Sequence, residues 1–262
     1  MTTCSTKIKV TVTPRCAITY TGSNTIGTEV TMRMMKMTVL GLSSIALSLG
    51  VTPALAGASG NSGVQDFAGY SAPVSAGAAS TTVSAEFTVP SLICDATGPG
   101  QFVAFSVQIN GTGEGLVGPY AQIRSGCDGA TPFYTAVGGG VHDMTISAGD
   151  KVVLSASLVA SPFRQSTTVK DLTTGVTYGQ ASTVDPIKAV NVFVGARSLG
   201  DSIADFGTIE WVNATFEGSS LGSANPEGLN MINNPGHPKL LVGTSALSPS
   251  GSSFKNIWVR GS

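Results

Sequence analysis

From Ser80 to the C-terminus the chain is a succession of short runs rich in Thr, Val and Ser, each closed by a turn-forming residue. Almost nothing in this stretch has the period of a long helix. TTVSAEFTVP alternates and stops at Pro90, and QFVAFSVQI runs from Gln101 to Ile109 and stops at Asn110-Gly111. VHDMTISAGDKVVLSASLVA holds two strand-like runs about the turn Ala148-Gly149-Asp150, and TTVKDLTTGVTYGQ, AVNVFVGA, FGTIEWVNATF and SFKNIWV continue the pattern. β-Branched and hydroxyl side chains fit a pleated, half-buried surface better than a helix. The fold expected is therefore all-β, an antiparallel sandwich or barrel. Leu172-Thr173-Thr174-Gly175 predicts a hairpin turn with positive φ at the glycine. Gly138-Gly139-Gly140 predicts another turn, and SSLGSANPEGLNMINNPGHP predicts a long surface loop returning to the sheet.

The N-terminal part obeys different rules. Met34-Met35-Lys36-Met37 opens TVLGLSSIALSLGVTPALAG, with Arg33 and Lys36 as a basic end, an apolar middle and the small-x-small signal Ala54-Leu55-Ala56. This reads as a signal peptide over residues 34–56, cleaved near Ala56-Gly57, which implies secretion and no stable membrane anchor. Residues 1–33 are polar and read as an unstructured extension or an over-long gene start, with Met32, Met34 or Met35 as the true first residue. Residues 57–262 then form one β-sandwich domain, long enough to bury a large core.

Removing the leader takes Lys7, Lys9, Arg15, Arg33, Lys36 and Glu29 away and moves the formal charge from −1 to −5, which argues against a nucleic-acid partner. His142 and His237 stand in no ligand spacing, and clustered carboxylates are lacking, so neither a metal nor another cofactor is implied. Cys94 and Cys127 remain as an even pair in a chain that reads as exported, and predict a disulfide. A catalytic cysteine is the competing reading, and neither thiol has a histidine near it in sequence.

At this point the residues carry a resemblance to the glutamic endopeptidases, the eqolisin family once grouped with the pepstatin-insensitive acid proteases. FAGYSAP followed by TTVSAEFTVP resembles that family's N-terminal strand pair; YAQIRSGCDGATPFY resembles the segment holding its catalytic Gln. ISAGDKV resembles a hairpin of the family, IADFGTIEWVNATF its Asp-Phe-Gly-Thr strand, and the tail from Gly228 to Val259 its last strands. The resemblance implies a concanavalin A-like sandwich of two large antiparallel sheets with substrate across one concave face. It further implies a Glu acting as base and then acid toward water, while a Gln polarises the scissile carbonyl. The chemistry needs both, since an amide N–H stabilises the developing oxyanion and a carboxylate takes the proton from water.

Gln122 falls on the family's Gln, with Arg124 where the family often has a small residue. Gln108, Asn110 and Tyr120 are expected to line the same cleft. The family's Glu is missing: the matching segment Lys188–Val194 puts Val190 or Asn191 at its position, and no Glu occurs between Glu114 and Glu210. The leading expectation is a secreted protein with a degenerate peptidase cleft that binds extended peptide or glycan. An active acid endopeptidase with a relocated carboxylate, Glu210 first and Glu86 second, is the alternative. A lectin-like or structural protein binding glycan along exposed aromatics such as Tyr120 and Phe133 is the third. Asp150 and Asp205 are expected to be structural, and His142 to be solvent-facing or satisfied on a strand.

Overall fold

In the computed structural model the described residues are 10–12, 18–20, 61–95, 100–112, 117–138, 141–184, 187–200, 202–233 and 238–261. The expected signal peptide and its cleavage site lie outside them, as does His237. The chain divides into two compact units, Met1–Val51 and Thr52–Ser262. In the first, β1 (Val10–Val12) pairs antiparallel with β2 (Ile18–Tyr20).

The second unit is a sheet of sixteen strands folded over on itself. One layer comprises β5 (Ser80–Thr88), β10 (Lys151–Ala160), β11 (Phe163–Asp171), β12 (Thr177–Thr183) and β14 (Thr208–Phe216), in the order β12-β11-β10-β5-β14. The other comprises β4 (Phe67–Pro73), β6 (Gln101–Thr112), β7 (Val117–Asp128), β8 (Thr131–Gly138), β9 (Val141–Thr145) and β13 (Lys188–Ser198), in the order β4-β13-β6-β7-β8-β9. The layers are joined through β18 (Phe254–Trp258), β17 (Leu240–Thr244) and β16 (Glu227–Ile232), with β3 (Ser62–Val64) parallel to β16 and β15 (Ser219–Ser220) against β14. All pairings but β3 with β16 are antiparallel, as the short turns require.

The core lies between the layers. Val83, Ala85 and Phe87 on β5, Val152, Leu154 and Ala156 on β10, and Trp211 on β14 face Val103, Phe105, Val107 and Ile109 on β6 and Ala121 and Ile123 on β7. Phe87 stands 5.4 Å from Phe105 and 4.7 Å from Trp211, ring centre to ring centre. Period-two alternation then puts Ser84 and Glu86 on the outside of the first layer, and Ser106, Gln108, Gln122 and Arg124 on the outside of the second.

The expected turn at Gly175 is present, with φ of 78° and Asp171 at its foot. The Asp171 carboxylate accepts from the N–H groups of Thr173 (2.8 Å) and Thr174 (3.2 Å) and from the Thr174 hydroxyl (2.6 Å). Burial alone would raise its pKa, but these bonds outweigh burial and hold it below the usual value. Asp150 accepts from Ser147 N–H at 2.7 Å and Asp205 from Gly207 N–H at 2.9 Å, the structural roles expected of them. Cys94 and Cys127 form the predicted disulfide, 33 positions apart, with Cα atoms separated by 5.6 Å. It ties the approach to β6 to the end of β7 and constrains the unfolded chain by roughly 3–4 kcal/mol on the loop-entropy account.

Two expectations fail. ISAGDKV does not close a hairpin: β9 pairs with β8 in one layer while β10 pairs with β5 and β11 in the other, so the turn is a crossover. The segment read as a long loop from Ser219 onward contains β15, a 3-10 turn over Leu221–Ala224 and β16, whose Met231 is fully buried. Its glycines and asparagines masked the strand, because Gly228 sits where an added Cβ would meet the Asn61 side chain at 2.2 Å.

Candidate functional site

Residues directly opposite one another in antiparallel strands point to the same face, so the pairing register maps the outer surface of the second layer. One line across it reads Gly69, Gly195, Ser106, Gln122 and Val137, from β4 to β8. On one side runs Ser71, Phe193, Gln108 and Tyr120, and beyond it Pro73, Asn191 and Asn110. On the other side runs Phe67, Arg197, Ala104, Arg124 and Thr135.

The middle line is a trough floored by backbone. Gly69 and Gly195 face each other with φ of 149° and 157°, and a Cβ on Gly195 would stand 2.1 Å from Ala68 O and 2.7 Å from Gly69 Cα. No Cβ fits there, so the two strands approach closely, and the Phe193 ring lies over Gly195, its tip 2.9 Å from where a Cβ would stand. Phe193 reaches across the line to meet Phe67 edge-on at 4.9 Å, and the Arg197 guanidinium lies over the Phe67 ring at 5.4 Å.

Gln122 is buried on β7 within this trough. Its side-chain oxygen, oriented by its surroundings, accepts from Arg124 Nε at 2.7 Å and a terminal guanidinium nitrogen at 3.2 Å. With that oxygen engaged by a cation, the amide's remaining capacity is chiefly its two N–H donors, the polarity that an oxyanion or a ligand carbonyl requires. The sequence signal for this was Arg124 two residues on, where strand period puts it on the same face. Gln108 donates to Asn110 at 2.9 Å, and Asn110 donates to Asn191 at 2.7 Å, a chain of neutral amides.

Neither Val190 nor Asn191 stands opposite Gln122. Asn191 pairs with Asn110, four residues along β6 from Ser106 and one strand beyond, about 16 Å from Gln122 between Cα atoms. Val190 is exposed beside the bulge between Ala189 and Asn191. The β13 residue that faces Gln122 across Ser106 is Gly195, about 10 Å away at two strand spacings. Which residues meet Gln122 is fixed by the β13–β6 and β6–β7 registers, which composition does not show.

Glu86 and Glu210 are also apart from Gln122. Both lie on the outer face of the first layer, with Phe87, Trp211, Phe105 and Ile123 between them and the trough. Glu86 accepts from Asn213 Nδ2 at 3.1 Å, and Glu210 is exposed opposite Lys255. Asn213 has φ of 52° where the β14–β5 register shifts, so alternation breaks there. Along the trough side of β13 stand Asn191, Phe193, Gly195 and Arg197, none of them an acid. Among the described residues no cluster of His, Cys, Asp or Glu has the grouping to hold a metal.

Three buried polar atoms on this one face have no partner among the described residues: Ser106 Oγ, Gln108 Oε1 and Arg197 Nε. Such groups cost about 1–3 kcal/mol each; as many occur elsewhere, at Ser125, Thr167 and Gln180. Tyr120 is half-buried, and Phe133, 6.0 Å from Phe102, is 37% exposed. An open cleft of about 630 Å³ between Met144, Asp150 and Tyr178 lies elsewhere and contains no residue of the trough.

The sequence profile of the Peptidase A4 family matches residues 65–255. No curated protein sequence matches the chain. Among solved structures it is similar to scytalido-glutamic peptidase with a transition state analog inhibitor, at 18% identity and a TM-score of 0.55 over 74% of this chain and 100% of that one. It is also similar to SCP-B, a member of the Eqolisin family of peptidases in complex with the tripeptide Ala-Ile-His, at 20% identity and a TM-score of 0.54 over the same shares. At these identities the likeness is one of fold.

Proposed function

Because the chain belongs to the Peptidase A4 family, we propose that it is an exported, peptidase-like protein whose trough holds an extended peptide without hydrolysing it. The observation that carries this reading is the pairing of Gln122, through Ser106, with Gly195, where no side chain and hence no base can stand. The donor half of an acyl-transfer site is supported by Gln122 and Arg124; among the residues whose side chains are described, no carboxylate stands beside it to take the proton from water. Glu86 and Glu210, behind the core, offer no substitute, since a base must come within hydrogen-bond reach of the water it activates. Export is supported by the leader pattern and the Cys94–Cys127 disulfide, and no helix among the described residues is long and apolar enough to cross a membrane. The peptide is preferred to a glycan as occupant because the Gln122 amide keeps N–H donors suited to a peptide carbonyl, while Phe193 is buried and Phe133, 37% exposed, stands away from it.

The reading is tested by incubating the purified protein, shown folded by circular dichroism at each pH, with denatured casein from pH 2 to pH 7 and measuring acid-soluble peptide. Release no greater than that of a buffer control is expected throughout. Release that Gln122→Ala abolishes would make the protein a working peptidase and end the proposal.

A further inference from the structure

We propose that Arg124 and Arg197 form a carboxylate-recognition site at the edge of the trough, so that the bound peptide is acidic; this rests on the trough being the peptide site. The two arginines occupy β7 and β13, and each is directly opposite Ala104 on the strand between them. They therefore flank the smallest side chain of their line from both sides, at about 10 Å between Cα atoms, and both point to the trough face. A carboxylate bound above Ala104 would stand between the two arginines, which need only turn from Phe67 and Gln122 to meet it, and planar bidentate contact with a carboxylate is what a guanidinium does best.

Both cations are available for this. Among the described residues neither has a carboxylate partner: Arg124 donates to the neutral oxygen of Gln122, and Arg197 rests on the Phe67 ring with its Nε buried and unpartnered. Beside them the Ser106 hydroxyl, fully buried on the same face, also lacks a partner. Two unneutralised guanidiniums with an idle hydroxyl between their strands are unusual in a chain that carries only 11% charged residues and a net negative charge. The Arg197–Phe67 contact holds one fork at the wall, and the Gln122 oxygen holds the other over the floor. Arg124 thus has two functions, orienting the Gln122 amide with N–H outward and keeping its remaining donors for the ligand's acid.

The probes are three peptides titrated into the whole protein and followed by NMR shift changes: acetyl-Ala-Thr-Val-Glu-Val-Thr-Ala-amide, its Gln counterpart, and the Gln peptide with a free C-terminal carboxylate. The Glu peptide is expected to bind at least tenfold more tightly than the Gln amide, with a preference that falls as salt is raised. Arg197→Gln should erase most of that preference while changing the Gln amide's affinity less than threefold, whereas Arg124→Gln, which also releases the Gln122 amide, should erase the preference and weaken both peptides. Tightest binding of the free-acid peptide would assign the site to a chain terminus rather than a side chain, with the same two arginines required. Equal affinity for all three peptides would overturn the carboxylate site and leave the peptide trough standing. Binding of none of them would overturn both, and tighter binding of a sulfated oligosaccharide than of the Glu peptide would give the arginines to a glycan.

Discussion

Replacing Gly195 with alanine is expected to lower the unfolding free energy by roughly 3 kcal/mol or more, a large share of the total stability of an ordinary domain. The added methyl would stand 2.1 Å from Ala68 O, 2.7 Å from Gly69 Cα and 2.9 Å from the Phe193 ring, and two of those three are backbone. Backbone cannot yield without parting β4 from β13, and φ of 157° is itself poorly tolerated by a residue with a Cβ. Gly69→Ala meets the same pair from the other side, with Val194 O at 2.1 Å, and should cost a similar amount. Gly179→Ala, exposed on β12 with its nearest neighbour at 3.4 Å, should change stability by no more than about 0.5 kcal/mol. Urea unfolding of the three variants checks the contrast; a Gly195→Ala protein as stable as the parent would mean that the close approach of β4 to β13 is not as described.

The second large effect concerns Asn256, fully buried on β18. Its side-chain oxygen accepts from Trp211 Nε1 at 2.7 Å and from the Ala196 backbone N–H at 3.2 Å, while its nitrogen donates to Thr244 Oγ1 at 3.1 Å. One amide therefore connects β14 of the first layer to β13 of the second at the joining strand β17. Asn256→Leu keeps the approximate volume but leaves the indole N–H and a backbone N–H buried without acceptors, each costing about 1–3 kcal/mol. A loss of roughly 3–5 kcal/mol is expected in thermal or urea unfolding. Since Ala196 adjoins Gly195, the variant should also loosen the trough, seen as faster amide exchange in β13 than in β10. A loss below about 1 kcal/mol would contradict the clamp.

Much of the architecture was legible because alternation and turn chemistry agree locally. Phe87 and Val89 alternate with Glu86 and Thr88, and the strand faces follow without any knowledge of partners. Gly175 and Gly149 mark turns because positive φ is required where they sit. What sequence could not supply was register. The identity of the β13 residue opposite Gln122 depends on the β13–β6 and β6–β7 registers, which put Gly195, four positions beyond Asn191, in line with it. The partition of strands between layers was equally hidden. Glu86 and Glu210 read as candidates because nothing local says that Phe87 and Trp211 pack against Phe105 from the far side. Arg124 stood in the sequence as a departure from the family's pattern; its bond to the Gln122 oxygen turns that departure into part of the site.

The central claim is that the outer face of the β4-β13-β6-β7-β8 layer holds peptide and does not cut it. The most direct test is a titration of 15N-labelled protein with a mixture of short unstructured peptides at pH 5, with the peptides recovered afterwards for mass spectrometry. Amide shifts confined to residues around Ser106, Gln122, Phe193, Gly195 and Arg197, with every peptide recovered at its starting mass, is the predicted result. Shifts centred on Glu86 and Glu210 across the sandwich, or peptides recovered shortened, would contradict it.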